Sequence, residues 1–506
     1  MAFVDPFLLV VTLVMSCILI IGNLYFVAKY AHPADSAFGS STACKAVIIV
    51  AFICAECQIL LLPLDVGNYR ADSNVDMKIF WYIIYMSSAF FMIIILPIGL
   101  FYYESDEDNT FKMRLWTSIK YEVMLIVLVS IALFGSYAGL RFAQLPLVAN
   151  TCQYVESATA LTTILRDANA TTTQSSCTRT DETLEITVSF PIYVIALACW
   201  LGWWMLILFM GAGLTALPVD LINQFRFRPI PMKEDEFARC KAELAKQVGT
   251  LLQIGKDLIE DRIKADKEGG IAGWKKRRAV QTRQNEFESN CILIEKEFNR
   301  LDQTASYKHK VEPLVYVIKL ILGIICIVIS LIIVIHLFCY ILLKVNNRPV
   351  HPFLNNMLED LENSSVSVLS TIMFAFIGYY LMLCAMKGNV RVGMRLLCFT
   401  FYPLLPNETF VNSFIFNAII MNLWMFALVQ FMTDMFKEYI RQTSISMIFS
   451  VQIKNMYFFK WFLQYSVFSY ILIGWICICG IYFILKPSER INLGMQVKKT
   501  DLAARA

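Results

Sequence analysis

The sequence predicts an all-α protein, a polytopic membrane helix bundle of about nine spans with a cytosolic coiled-coil helical hairpin. Three observations lead there. Of 506 residues, 58% are hydrophobic and 17% charged, which is too apolar for a soluble chain of this length. Several apolar runs exceed the ~18 residues that mark a spanning helix. One long stretch, 219–312, is polar and carries two apolar seams at helical spacing.

Taken in order, the apolar runs place spans at 6–28, 46–66, 79–103, 123–140, 188–214, 313–343, 366–386, 410–432 and 462–485. The first run lacks a basic n-region and a small-residue cleavage site, and Lys29 follows it directly. It therefore reads as a retained span with its N-terminus outside, not as a signal peptide. Span two closes on Leu62-Pro63-Leu64-Asp65, and span five leads into Leu217-Pro218-Val219-Asp220. Proline breaks helices, so both motifs are expected to end them. Span three stops at Glu104-Ser105-Asp106-Glu107-Asp108, a solvated turn. The residues 143–187 form a polar loop, and 486–506 a polar tail. The resulting divisions are 1–218 with spans one to five, 219–312 as the hairpin, 313–485 with spans six to nine, and the tail.

The loop 143–187 gives the orientation. It carries the glycosylation acceptor Asn169-Ala170-Thr171 between Cys152 and Cys177. A glycan and a disulfide both belong to the oxidising, extracytoplasmic side. Alternation then places 219–312 in the cytosol, with Arg226 and Arg228 close to the span end. A second acceptor, Asn363-Ser364-Ser365, falls outside. Asn407-Glu408-Thr409 falls inside and is expected to be unmodified, and the tail, with Lys498 and Lys499, is inside as well.

Within the polar stretch, Phe237, Cys240, Leu244, Leu251, Ile254 and Leu258 make one seam, and Phe287, Cys291, Ile294, Phe298 and Leu301 the other. Gly269-Gly270 and Gly273 separate them, followed by the basic cluster Lys275-Lys276-Arg277-Arg278. The glycines predict an antiparallel fold-back. The basic cluster either solubilises the tip or touches anionic lipid.

Signatures of soluble enzymes are missing: there is no Walker loop, GxSxG or HExxH, and the four histidines have no metal-ligand spacing. No catalysis, metal or cofactor is expected. The net charge of +4 gives no reason to expect nucleic acid. Ionisable residues within spans are the better lead, because they are costly there and usually face the bundle interior or a wet cavity. Glu56 in mid-span two, His336 in span six, and Asp65 and Asp220 near span ends form the candidate intramembrane polar site. Each also has a structural reading, as a hydrogen-bonded packing device. Cys54-x-x-Cys57 reads as small-residue packing, and Gly135-x-x-x-Gly139 permits a close helix contact. The two Leu-Pro-X-Asp motifs, on helices of opposite direction, suggest either a transporter's inverted repeat or a chance match.

The motifs YAHPADS (30–36), LLLPLDVGN (60–68), FYYESDED (101–108), GLTALPVDLI (213–222), PFLNNML (352–358) and NSFIFNAII (412–420) extend this reading. On these the chain resembles the limb-region membrane protein family, which includes lipocalin-interacting membrane receptors and lysosomal cobalamin transport proteins. The resemblance implies nine spans, an outside N-terminus and a large cytosolic loop after span five, and it supplies no catalytic residue. The patterns at 30–36 and 412–420 look more like the receptor branch.

The expected function is therefore that of a receptor or scaffold. Outer loops would meet an extracytoplasmic ligand, and the hairpin at 237–301 would bind a cytosolic protein. The membrane would be the plasma or endolysosomal membrane. The alternative is a transporter of a small, cobalamin-like solute with a polar site between spans two and five. A tightly packed bundle around Glu56 would favour the receptor, and a water-accessible path past it the transporter.

Overall fold

Backbone amides in lipid have no water to bond, so an apolar chain crosses as closed helices. The computed structural model describes residues 6–32, 40–70, 75–105, 110–153, 176–228, 234–267, 280, 283–284, 287, 290–291, 293–295, 297–298, 301–302, 312–345, 348–364, 367–396, 399–402, 404–405 and 409–485. Among the described residues, nine helices are long and apolar enough to cross a membrane. The protein is a polytopic membrane helix bundle. It divides into two compact units, Met1–Leu217 with Ile329–Ile481, and Pro218–Val328 with Tyr482–Ala506.

The first unit opens with α1 (Pro6–Tyr30) and α2 (Ser40–Arg70). Next, α3 (Met77–Phe90) passes through a wide turn, Phe91–Ile95, into α4 (Leu96–Glu104). Leu96 N–H reaches back to Phe91 O there, a π-type bond just before Pro97, which has no N–H to give. After α5 (Phe111–Leu140) come β1 (Phe142–Gln153) and β2 (Ser176–Thr187), then α6 (Phe190–Arg226), whose last turns belong to the second unit. The end of α8 (Glu312–His336) returns to the first unit and widens into Leu337–Leu342. There follow β3 (Lys344–Val345), β4 (Arg348–Pro349), α9 (Phe353–Glu362), α10 (Ser367–Val392) and the short pair β5 (Met394–Leu396) and β6 (Phe399–Phe401). The unit ends with α11 (Val411–Met435), α12 (Ser444–Ile453), α13 (Phe459–Gln464) and α14 (Val467–Leu485).

At its centre lies α11, with 83% of its apolar window buried, against 0% for α5 at the periphery. Its polar side chains tie the neighbours together. Asn422 Nδ2 donates to Ala51 O at 3.2 Å. Gln430 Oε1 accepts from Trp203 Nε1 at 2.6 Å and Cys199 Sγ at 2.8 Å. Such bonds hold helices together where burial from water gives no drive.

Several sequence expectations need correction. The Leu-Pro-X-Asp motifs do not end helices, since α2 continues through Pro63 to Arg70 and α6 through Pro218 to Arg226. Each proline removes one backbone bond, which a span flanked by other helices tolerates. The stretch 143–187 is not simply a loop. It begins and ends in a paired antiparallel ribbon, with a register from Phe142↔Thr187 to Gln153↔Ser176. Residues such as Thr178, Thr180, Leu184 and Ile186 suit a pleated strand. The last span is shorter than read, because α13 and α14 are separated at Tyr465-Ser466, and α12 is an additional short apolar helix. Gly135 and Gly139 face open space rather than a neighbouring helix.

In the second unit, α7 (Glu234–Lys267) packs against helical residues between 280 and 302. Arg283 bonds Asp261 at 3.0 Å, Phe287 sits against Gly255, and Ile294 buries with Leu251 and Leu244. Rising numbers on one side meet falling numbers on the other, so the pair is antiparallel. Lys275, Lys276, Arg277 and Arg278 lie outside the described residues, as do Asn169, Asn407 and the tail.

Candidate functional site

The four ionisable residues singled out in the sequence are all buried, at 2% exposure for Glu56, 1% for Asp65, 4% for Asp220 and 0% for His336. They do not assemble into one described site. Glu56 Oε2 accepts from Asn23 Nδ2 at 2.6 Å, a bond between α2 and α1. Asp65 caps α12: its carboxylate accepts from Ser444 N at 3.3 Å and Ile445 N at 2.9 Å, and Trp81 Nε1 adds a third bond at 2.9 Å. A carboxylate at a helix N-terminus satisfies orphan amides and complements the dipole. His336 donates through Nε2 to Met435 O at 3.1 Å and lies flat on Tyr340, with ring centroids 5.1 Å apart. Asp220 belongs to the second unit. Glu56 lines none of four cavities found among the described residues.

A different group does converge, at the end of the bundle where β1 and β2 emerge. Asp434 sits in the last turn of α11, and Lys437, Glu438 and Arg441 follow it directly. Lys344 arrives from β3 and Lys454 from the end of α12. They rim a cavity of about 390 Å³. Trp203 and Phe468 form an apolar wall, stacked at 5.1 Å and 5°, with Phe462 against Phe468 at 5.4 Å and Tyr340 also in the lining.

The charges are unbalanced. Lys344, Lys437, Arg441 and Lys454 face Asp434 and Glu438, an excess of two positive charges. Lys454 Nζ pairs with Asp434 Oδ1 at 3.3 Å. Among the described residues, Lys437 and Arg441 have no ion-pair partner within 4.0 Å. Partial burial first, and then the Lys454 charge, lower the Lys344 and Lys437 ammonium pKa values below the ordinary lysine range. An anion placed among these groups would relieve that cost.

The rim is held from behind. Tyr439, next to Glu438, donates through Oη to Ser370 Oγ at 3.0 Å. Arg70 lies over the Tyr439 ring at 4.4 Å, bonds Ser370 and Thr371 at 2.9 and 3.0 Å, and pairs with Glu362 at 2.5 Å. Asn355 Nδ2 and His336 Nε2 share Met435 O. His336 thus packs behind Tyr340, a lining residue of the cavity. Ser466, in the cavity wall, adopts the left-handed region at φ 53° to turn α13 into α14, a strain of ~1–2 kcal/mol.

The β ribbon is pinned beside this cavity. Gln144 N donates to Asn455 O at 2.9 Å and Tyr457 N to Phe142 O at 3.0 Å, immediately after Lys454. Along the ribbon, the register sets Cys152 directly opposite Cys177. Asn363 is exposed at the end of α9.

Sequence reasoning missed the cavity because its charges come from three separate segments and read as ordinary loop residues. The available signal was the run of charges at 434, 437, 438 and 441, directly off a span end. It also missed Glu122, 2% exposed on α5, whose carboxylate oxygens have no hydrogen-bond partner among the described residues.

A family profile described as LMBR1-like membrane protein matches residues 8–312. The chain belongs to this family. A LIMR family protein of Dictyostelium discoideum is 26% identical over 96% of this chain and 99% of its own length. LIMR family proteins of Arabidopsis thaliana and Oryza sativa subsp. japonica are 27% and 26% identical, covering 98% and 96% of this chain and 97% and 98% of their own. No solved structure matches. The matched profile stops before the segments that supply the cavity's charges, so the family match by itself assigns that site no role.

Proposed function

We propose that this family member is a receptor whose ligand enters at the β-ribbon end of the bundle, on the extracytoplasmic side. The observation that carries this is the cationic, aromatic-walled cavity of about 390 Å³ beside the pinned ribbon. The ribbon supplies a surface for a partner next to a pocket for a ligand. Glu56, in contrast, is packed and hydrogen-bonded, with continuous helices around it, which argues against a conduit there. On this reading Cys152 and Cys177 form a disulfide and Asn169 and Asn363 carry glycans. The antiparallel pair of the second unit acts as a cytosolic coiled coil that binds a protein partner. The membrane is the plasma or endolysosomal membrane.

The test is labelling of single cysteine replacements in intact cells with a membrane-impermeant maleimide, scored above the native-cysteine background. Arg441→Cys should label from outside and Glu56→Cys from neither side. Labelling of Arg441→Cys only after permeabilisation would overturn the orientation. Labelling of Glu56→Cys would open a polar path and favour the second reading, a transporter of a small solute.

A further inference from the structure

We propose that the cavity rimmed by Lys437 and Arg441 binds an amphiphilic anion, with its carboxylate or phosphate head on these cations and its apolar body against Phe462 and Tyr340. The inference rests on the proposed ligand entry at this end, and it names the class of ligand.

The charge pattern gives the head group. Of the four cations, Lys454 is engaged by Asp434, while Lys437 and Arg441 stand exposed at the rim. Arg441 offers a planar fork that suits carboxylate and phosphate, and Lys437 a point charge beside it. Lys344, also in the lining, adds a third cation to the same field. Cations grouped in a partly dehydrated concavity raise each other's cost until an anion neutralises them.

The walls give the body. A small inorganic anion would occupy only a fraction of a cavity of about 390 Å³. The remaining lining includes the half-buried Phe462 and the edge of Tyr340, with Phe462 backed by the buried stack of Phe468 on Trp203. The lining is divided about evenly between polar and apolar surface, and a pocket that offers both orients ligands that have both kinds of surface. The cavity therefore matches a molecule with a charged end and a hydrophobic end. A fatty acid and a lysophospholipid with a phosphate monoester share that chemistry.

The experiment is equilibrium binding of radiolabelled oleate and of radiolabelled lysophosphatidate to the full-length protein in phosphatidylcholine nanodiscs. Oleyl alcohol and inorganic phosphate serve as competitors. At least one labelled lipid should bind saturably, and which binds more tightly identifies the head group. Oleyl alcohol should compete at least about tenfold less well, and inorganic phosphate alone should not displace the lipid. The Lys437→Gln/Arg441→Gln double variant should bind about tenfold more weakly or worse, the scale of 1.4 kcal/mol. The charge-preserving Lys437→Arg/Arg441→Lys variant, which keeps both charges but moves the fork, should bind more tightly than the glutamine variant. That variant separates loss of charge from loss of fold. Absence of saturable binding by either lipid overturns the proposal. So does wild-type affinity in the glutamine variant, or equal competition by oleyl alcohol. Displacement by inorganic phosphate as effective as by oleate overturns the amphiphile assignment. The receptor reading fails separately, through labelling of Glu56→Cys, which leaves oleate affinity untouched.

Discussion

Asp65 carries three hydrogen bonds, two of them to the first amides of α12. Replacing it with alanine orphans these donors, so Asp65→Ala is expected to cost about 1–2 kcal/mol and lower the melting temperature in detergent. Glu56 has a simpler duty, a single bond from Asn23. Glutamine keeps an acceptor oxygen in the same place, so Glu56→Gln should leave stability and lipid binding close to wild type. A loss of binding in that variant would move the ligand site into the bundle centre. At the rim, Lys344 and Lys437 must be protonated to hold an anion. Their pKa values are lowered by burial and by Lys454, so in the free protein they lose protons below the ordinary lysine value of 10.5. A phosphate monoester is already fully ionised above roughly pH 7. Lysophosphatidate affinity should therefore fall as pH rises from neutral toward 10.5, which binding isotherms at increasing pH would register.

The spans were legible at the scale of elements because a run such as 313–343 has no other stable fate in a chain this apolar. Proline and glycine act differently here than in soluble helices. Pro63 and Pro218 looked like stops, yet both lie inside long spans. Gly135 and Gly139 looked like a contact face, yet a side chain at either meets nothing within 4 Å. The close crossing lies elsewhere and is not marked by a repeat. A Cβ on Gly213 would collide with Cys384 O, and one on Gly388 with Phe209 O. Gly213→Ala is therefore expected to force α6 and α10 apart at a cost of about 1–3 kcal/mol. Gly135→Ala should be neutral in the same thermal-unfolding assay. The β ribbon was missed because its alternation runs through Pro146 and several polar residues, so it resembles loop composition.

For the whole molecule, the bundle's class and the polar stretch between spans five and six could be read from hydropathy, and the family from motifs. The candidate site could not. Its charges lie at 344, 434–441 and 454, and its aromatic wall at 203, 340, 462 and 468. Only folding brings span ends from distant parts of the chain to one rim. The isolated intramembrane acids are the more conspicuous feature of the sequence, because a charge in a span is costly wherever it sits. In the fold, Asp65 serves packing and capping and Glu56 a bond between helices.

On the proposed reading, ligand is received in the cavity beside the β ribbon and not along the buried carboxylate of α2. Photoaffinity labelling of the full-length protein with a diazirine-bearing fatty acid, followed by peptide mapping, tests it most directly. Label should fall on peptides carrying Lys437 to Lys454 and Phe462 to Phe468, and excess oleate should remove it. Oleate-sensitive label concentrated instead on peptides carrying Asn23 and Glu56 would contradict the claim.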